Sequence, residues 1–190
     1  MTCIRNPHFA NDEKKNCTDR NDEWVPGRRI RIRELFYRVG DHQMAKQIAI
    51  ASDHAGFELK SILKAVLVEG GYDVLDLGTA STESVDYPDF GYLMAETIAS
   101  RKAECGVLVC GTGIGISIAA NRHPEIRAAL CHDVTTARLA REHNDANVMA
   151  LGGRLIGSEV AKECLVAFLE TPFGGDRHAR RVQKLGAPPV

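Results

Sequence analysis

Several things are missing from this sequence of 190 residues. Net charge is nearly absent, at a formal −1, so no global field draws the chain to nucleic acid or to a membrane surface. No apolar run reaches the roughly 18 residues needed to span a bilayer. The six cysteines, Cys3, Cys17, Cys105, Cys110, Cys131 and Cys164, contain no C-x-x-C pair and no zinc-ligand spacing. A dithiol redox centre and a cysteine-held metal are therefore not expected, and no metal is assigned. Internal repeats and low-complexity segments are also lacking. What is present, 44% hydrophobic and 26% charged residues, suffices for one ordinary domain with a small appendage. Cys105, Cys110 and Cys131 lie in or beside strand-like runs. Reduced, mostly buried thiols of this kind are expected in a cytoplasmic protein.

The chain divides into unlike parts. Residues 1–43 are polar and lack core-forming periodicity. "NDEKKNCTDRNDEW" mixes charges densely, and "RRIRIRELFYR" concentrates arginines. Such a block reads as a solvated arm, and its acidic residues argue against a transit peptide. Residues 44–190 carry the regular pattern, and Met44 stands just before it, where a natural start would fit.

From Lys46 onward, apolar strand-like runs alternate with helical stretches. "QIAIAS", "DVLDLG", "CGVLVC", "IRAALC" and "NVMALGG" read as strands. "FELKSILKAVLVEG" stops at a Gly pair, "PDFGYLMAETIASRK" opens on a first-turn proline, and "GISIAANR" follows the third strand. "DVTTARLAREHN" is expected to be capped by Asp133, "SEVAKECLVAFLE" by Ser158, and "DRHARRVQKL" forms a last helix. Strands apolar on both faces, alternating with helices, imply an α/β protein: a three-layer Rossmann-like sandwich around a five-stranded parallel sheet.

Ligands in such sheets bind beyond the carboxyl ends of the strands. Those ends carry Asp53 and His54, Gly78 and Thr79, Cys110 with its "GTGIG" loop, His132 and Asp133, and Gly153 with Arg154. Each has a plainer reading. Asp53 could cap a helix, His54 could be a surface residue, and Cys110 could be a small buried hydrophobe. The loop resembles a dinucleotide fingerprint, but Gly111, Gly113 and Gly115 are spaced two apart. Ile116 stands where the third glycine would be, and the next strand does not end in an acid. No nucleotide cofactor is expected. Glycines instead allow close backbone approach and leave N–H groups to face a developing negative charge. A thiol just before them, near a helix N-terminus, is expected to favour its thiolate. That pairs a base with an oxyanion hole. His143 ends a helix, where it could simply interact with the dipole. Arg177 and Arg181 are four apart on one helical face, as a solvated pair or a phosphate-binding pair would be.

"ASDHAGFELK", "DLGT", "DYPDF", "CGTGIGISIAANR", "REHNDANVMALGGR" and "DRHARRV" together resemble the type B ribose-5-phosphate isomerases, relatives of the galactose-6-phosphate isomerase subunits. The resemblance covers about residues 46–185. It implies a cofactor-free aldose–ketose isomerase of the non-oxidative pentose phosphate pathway. It also implies a homodimer, with a tetramer as a further option, whose active sites lie between subunits. By this resemblance Cys110 is the base that moves a proton between C1 and C2. Gly111, Thr112, Gly113, Ile114 and Gly115 hold the enediolate. His143 assists ring opening and Asn144 contacts the sugar. Asp53 and His54 contact the ring and phosphate, and Arg154, Arg177 and Arg181 bind anionic groups. One branch of the family uses a glutamate as base where this chain has Ile116, so the thiol is the expected base here. The retained His143 favours pentose phosphate over galactose 6-phosphate. An isomerase of a six-carbon sugar phosphate, or a non-catalytic binder of the same ligands, are the alternatives.

Overall fold

The computed structural model describes residues 47–187. The expectations for residues 1–43, and for Met44 as a start, fall outside them. The described chain alternates strands and helices as β1 (Gln47–Ser52), α1 (Phe57–Glu69), β2 (Asp73–Asp76), α2 (Tyr87–Ala99), β3 (Cys105–Cys110), α3 (Ile114–Ala120), β4 (Ala128–Leu130), α4 (Val134–Asn144), β5 (Val148–Gly152), α5 (Ser158–Glu170) and α6 (Asp176–Leu185). A 3-10 turn, His54–Gly56, joins β1 to α1. The five strands are all parallel, in the order β2-β1-β3-β5-β4.

Alternation along the strands builds the two apolar layers. Ile48, Ile50, Val107, Val109, Met149 and Leu151 face one side, under Leu63 and Leu67 of α1, Ala137 of α4, and Leu165 and Phe168 of α5. Ala49, Ala51, Leu108, Cys110, Val148 and Ala150 face the other, under Met94 and Ile98 of α2 and Ile116 and Ala120 of α3. Each fully buried Leu, Ile or Phe contributes about 1.5–3 kcal/mol of transfer free energy. The expected three-layer sandwich is thus found.

Boundaries differ from the sequence expectation at several places, among them the end of β2 at Asp76, the start of α5 and both ends of β4. Ser158 is the first residue of α5; Gly157 occupies the cap and makes no side-chain bond there. β4 is only three residues long, because the Arg127 N–H is taken by Asn147 Oδ1 at 2.8 Å. Asp133 caps α4 as expected, accepting from the Thr136 N–H at 2.9 Å within a capping box.

Chain direction matters most for function. Parallel strands all end on one rim, and each helix runs back toward the other. The connections after β1 and β3 leave toward opposite sides, since β2 lies beside β1 and β5 beside β3. That makes the crevice between the ends of β1 and β3 the switch point where ligands bind in open sheets.

Candidate active site

The carboxyl rim is assembled backbone against backbone. The Asp53 N–H donates to Val109 O at 3.1 Å, joining the ends of β1 and β3. The Gly153 N–H donates to Cys110 O at 2.8 Å and the Arg154 N–H to Gly111 O at 3.1 Å, joining β5 to the same loop. Glycine is required where these strands crowd. A Cβ on Gly56 would lie 2.5 Å from Val109 O, and one on Gly152 would lie 2.8 Å from Thr112 O.

Cys110 ends β3 and is 4% exposed. Its Sγ accepts the Gly113 N–H at 3.0 Å. Gly113 has φ +78° and caps α3. The left-handed turn there swings the amide back onto the sulfur, so the loop holds the thiol at the start of α3. The Ile114 N–H donates to Thr112 Oγ1 at 3.3 Å, fixing the exposed tip of the loop. A methyl on Gly111 would meet nothing nearer than 3.7 Å, where Ala55 Cβ and the Arg154 Cδ and Nη1 atoms lie. The Arg154 side chain therefore flanks the loop.

Asp53 is buried and accepts the Gly56 N–H at 3.0 Å. The capping role that competed with a site role is real, and it leaves the second carboxylate oxygen for other partners. His54 Nδ1 lies 3.2 Å from both the N–H and the carbonyl of Val85, which ties the ring to the loop entering α2. Tyr87, unassigned from sequence, belongs to this rim. A Cβ on Gly115 would lie 2.5 Å from its Cε2 and 2.6 Å from its Cζ, so the phenol ring covers the glycine loop. The signal was present: Tyr87 lies within "DYPDF", at the start of a helix.

The remaining expected residues lie elsewhere in the chain. α4 starts on the carboxyl rim and runs back for 11 residues, about 16 Å at 1.5 Å per residue. Its last turn carries His143 and Asn144 to the amino rim. Asn144 there lines a hollow with Asn121, Ile126, Arg127 and Leu185. The His143 ring stacks on His178 of α6, with centroids 4.3 Å apart and planes 7° from parallel. Arg177 Nε donates to His178 Nε2 at 3.3 Å, and Arg177 and Arg181 are exposed. The His178 imidazole is held below its usual pKa by desolvation first, then by His143, Arg177 and Arg181; Glu142 opposes the shift. One chain therefore brings together Asp53, His54, residues 110–115 and Arg154, and separately gathers His143, Asn144, Arg177 and Arg181. Among the described residues no cluster of His, Cys, Asp or Glu is arranged to hold a metal ion, and no helix is long and apolar enough to cross a membrane.

The same fold is found in known proteins. The ribose/galactose isomerase family model matches residues 48–185. Ribose-5-phosphate isomerase B of Escherichia coli is 46% identical over 142 residues, covering 75% of this chain and 95% of that one. The crystal structure of a ribose 5-phosphate isomerase from Thermotoga maritima superposes with a TM-score of 0.73 at 55% identity, covering 74% and 97% of the two chains. The structure of ribose-5-phosphate isomerase B from Mycoplasma genitalium with bound ribulose-5-phosphate gives a TM-score of 0.72 at 39% identity, covering 75% and 95%. The match runs from the first strand to the last helix and takes in both rims: the chain belongs to the ribose/galactose isomerase family.

Proposed function

We propose that the chain interconverts ribose 5-phosphate and ribulose 5-phosphate, with Cys110 as the proton-transfer base and with each active site completed by a second copy. It is an aldose–ketose isomerase. The observation that carries the proposed site is the Cys110 sulfur held at 3.0 Å by the Gly113 N–H, inside a glycine-rich loop that leads into α3.

The chemistry follows from that placement. The Cys110 thiolate takes the C2 proton of the open-chain aldose. Charge moves to the C1 oxygen, and the amides of residues 111–115 stabilise it. A proton passes from O2 to O1, moving the charge to the C2 oxygen, and the thiol then returns its proton to C1, giving the ketose and restoring the thiolate. Before this, His143 of the partner subunit helps open the furanose ring, and Asn144 of the partner subunit holds a sugar hydroxyl. Arg177 and Arg181 of the partner subunit grip the phosphate, with Arg154 on the near side. Phosphate binding far from the reacting carbons orients them for proton transfer.

The need for a second copy is supported by the two-rim separation. The exposed apolar surface supports it too. Ile114 and Ile118 on α3 are 50% and 49% exposed, and Tyr92 and Leu93 on the adjoining α2 are 53% and 40% exposed. This patch continues from the catalytic loop, and exposed apolar patches mark association surfaces. In a two-fold dimer both sites would form from one interface.

Mixing inactive chains tests the assignment. Cys110→Ala and His143→Asn should each be nearly inactive alone. Mixed dimers, refolded together, hold one site with neither change and one with both. A random mixture should recover about a quarter of wild-type activity. No recovery, with mixed dimers present by mass spectrometry, would refute the shared site. No turnover of ribose 5-phosphate by the wild type would refute the activity.

A further inference from the structure

We infer that Asp145 is a positioning residue that holds His143 and Asn144 in place through a clamp with Arg127 and Arg141. The inference rests on the reading above, in which His143 and Asn144 act on the sugar.

Asp145 follows the last residue of α4 and adopts φ 45°, ψ 44°, the left-handed conformation. Helices commonly end with such a residue, and glycine suits it best because it lacks a Cβ. An L residue costs more there, so the aspartate side chain is expected to do something glycine cannot. Its contacts show what. Arg141 Nη1 donates to Asp145 Oδ1 at 2.9 Å, from within the same helix. Arg127 Nη2 donates to Oδ2 at 3.1 Å, from the segment entering β4. Each carboxylate oxygen thus takes one guanidinium.

The same arginines also seize the backbone. Arg127 Nε donates to Asp145 O at 2.8 Å, and Arg141 Nη1 to Ala146 O at 2.6 Å. Arg141 in turn lies over the Phe168 ring of α5, at 5.6 Å from its centroid. The end of α4 is therefore fastened to β4 on one side and to the α5 layer on the other. Just upstream, the Gly174 N–H donates to Glu142 O at 2.9 Å. His143 and Asn144 sit between these two fastenings, on a turn that would otherwise fray as helix ends do. The arginines have their charge largely answered within the clamp, which argues against their being extra phosphate ligands. Their side chains are each 23% exposed, whereas Arg177 and Arg181 stand in the open.

A mutant cycle in the full chain separates positioning from general structure. Asp145→Gly keeps the left-handed turn and removes the clamp. It should lower kcat/KM for ribose 5-phosphate by about 10–100-fold, as a displacement near 1 Å in a catalytic group does. In a His143→Asn/Asn144→Ala background the same change should cost under about 3-fold, because groups already lost cannot be misplaced. Asp145→Asn, which tolerates the turn and keeps one accepting oxygen, should fall between. It replaces Asp145→Gly in the cycle if the latter fails to fold by circular dichroism. Equal losses in both backgrounds, or no loss in the wild-type background, would overturn the assignment. Absence of activity in the wild type would instead overturn the isomerase reading, so the two failures are distinguishable.

Discussion

Adding one methyl group at either of two neighbouring glycines should have opposite consequences. At Gly113 the φ of +78° places an L residue in the left-handed region, which costs about 1–2 kcal/mol. The added Cβ would also lie 2.5 Å from Leu130 Cδ1 and 2.9 Å from the Leu151 carbonyl carbon. The leucine tip can move, but the β5 backbone cannot move without disturbing its pairing to β3. Overpacking of this kind costs about 1–3 kcal/mol. Gly113→Ala should therefore lose about 2–5 kcal/mol and melt lower by about 4–20 °C, at the 2–4 °C per kcal/mol of a chain this size. At Gly111 the Cβ meets nothing nearer than 3.7 Å, so stability should change by less than about 0.5 kcal/mol. That methyl would stand beside Arg154, in the space assigned to the substrate. Gly111→Ala should melt like the wild type yet lose at least about 10-fold in kcat/KM. Thermal melting by circular dichroism with parallel initial rates checks both. The reasoning fails if Gly113→Ala melts normally, or if Gly111→Ala melts low or keeps full activity.

Further predictions follow from single contacts. Cys110→Ala should lower kcat by about 10²–10⁴ while leaving substrate binding by calorimetry within a few-fold. Cys131 and Cys164, pushed up by burial to about 12 and about 11, should stay unalkylated by iodoacetamide at neutral pH in peptide mapping. Arg177→Ala and Arg181→Ala should raise KM for ribose 5-phosphate and hardly change the slow turnover of unphosphorylated ribose. Asp76 gives a pH dependence. Burial raises its pKa, but hydrogen bonds from Lys60, Lys64 and the Gly78 N–H outweigh that and leave it below the usual value. The lowered folded-state value means that its contribution is present above the unfolded carboxylate range near 3.9 and is lost as pH falls through the folded value. Asp76→Asn should destabilise the wild type by about 2 kcal/mol at neutral pH, since Lys60 Nζ loses a charged acceptor at 2.7 Å. It should also flatten the acid limb of the stability curve measured by urea titration.

The sheet was legible because its strands leave little ambiguity. "QIAIAS" and "CGVLVC" are apolar on both faces, and their observed bounds are the expected ones. β4 was overread because "IRAALC" looks like a six-residue strand, whereas Asn147 diverts the Arg127 amide through a contact 20 residues away. Ser158 was expected at a cap because serine favours that position. Local preference was overruled by the extended backbone of Gly157, with ψ 156°. Cys110 and its loop were readable as a unit because strand, thiol and glycines are contiguous. Tyr87 was missed because its ring meets Gly115 only through folding. The separation of His143 from Cys110 was implied only by the family resemblance, which places the active sites between subunits; chain direction carries the same reading. A helix that returns from a carboxyl rim must end on the opposite one.

The backbone cement of the carboxyl rim bears on what the solvent must do during reaction. Gly56 against Val109, Gly152 against Thr112, and the Cys110–Gly153 and Gly111–Arg154 hydrogen bonds lock three loops to one another. In the proposed reaction, dipoles held this way would already be turned toward the position where oxygen acquires charge. In water the same charge would have to wait for molecules to rotate around it, and that waiting is part of the uncatalysed barrier. Here the rotation was completed when the chain folded. The cost falls on folding stability, where it is met once, instead of on each turnover. A softened rim, such as Gly153→Ala with its Cβ 3.0 Å from Ala55 O, should therefore melt lower and show a larger enthalpy of activation for the proton transfer.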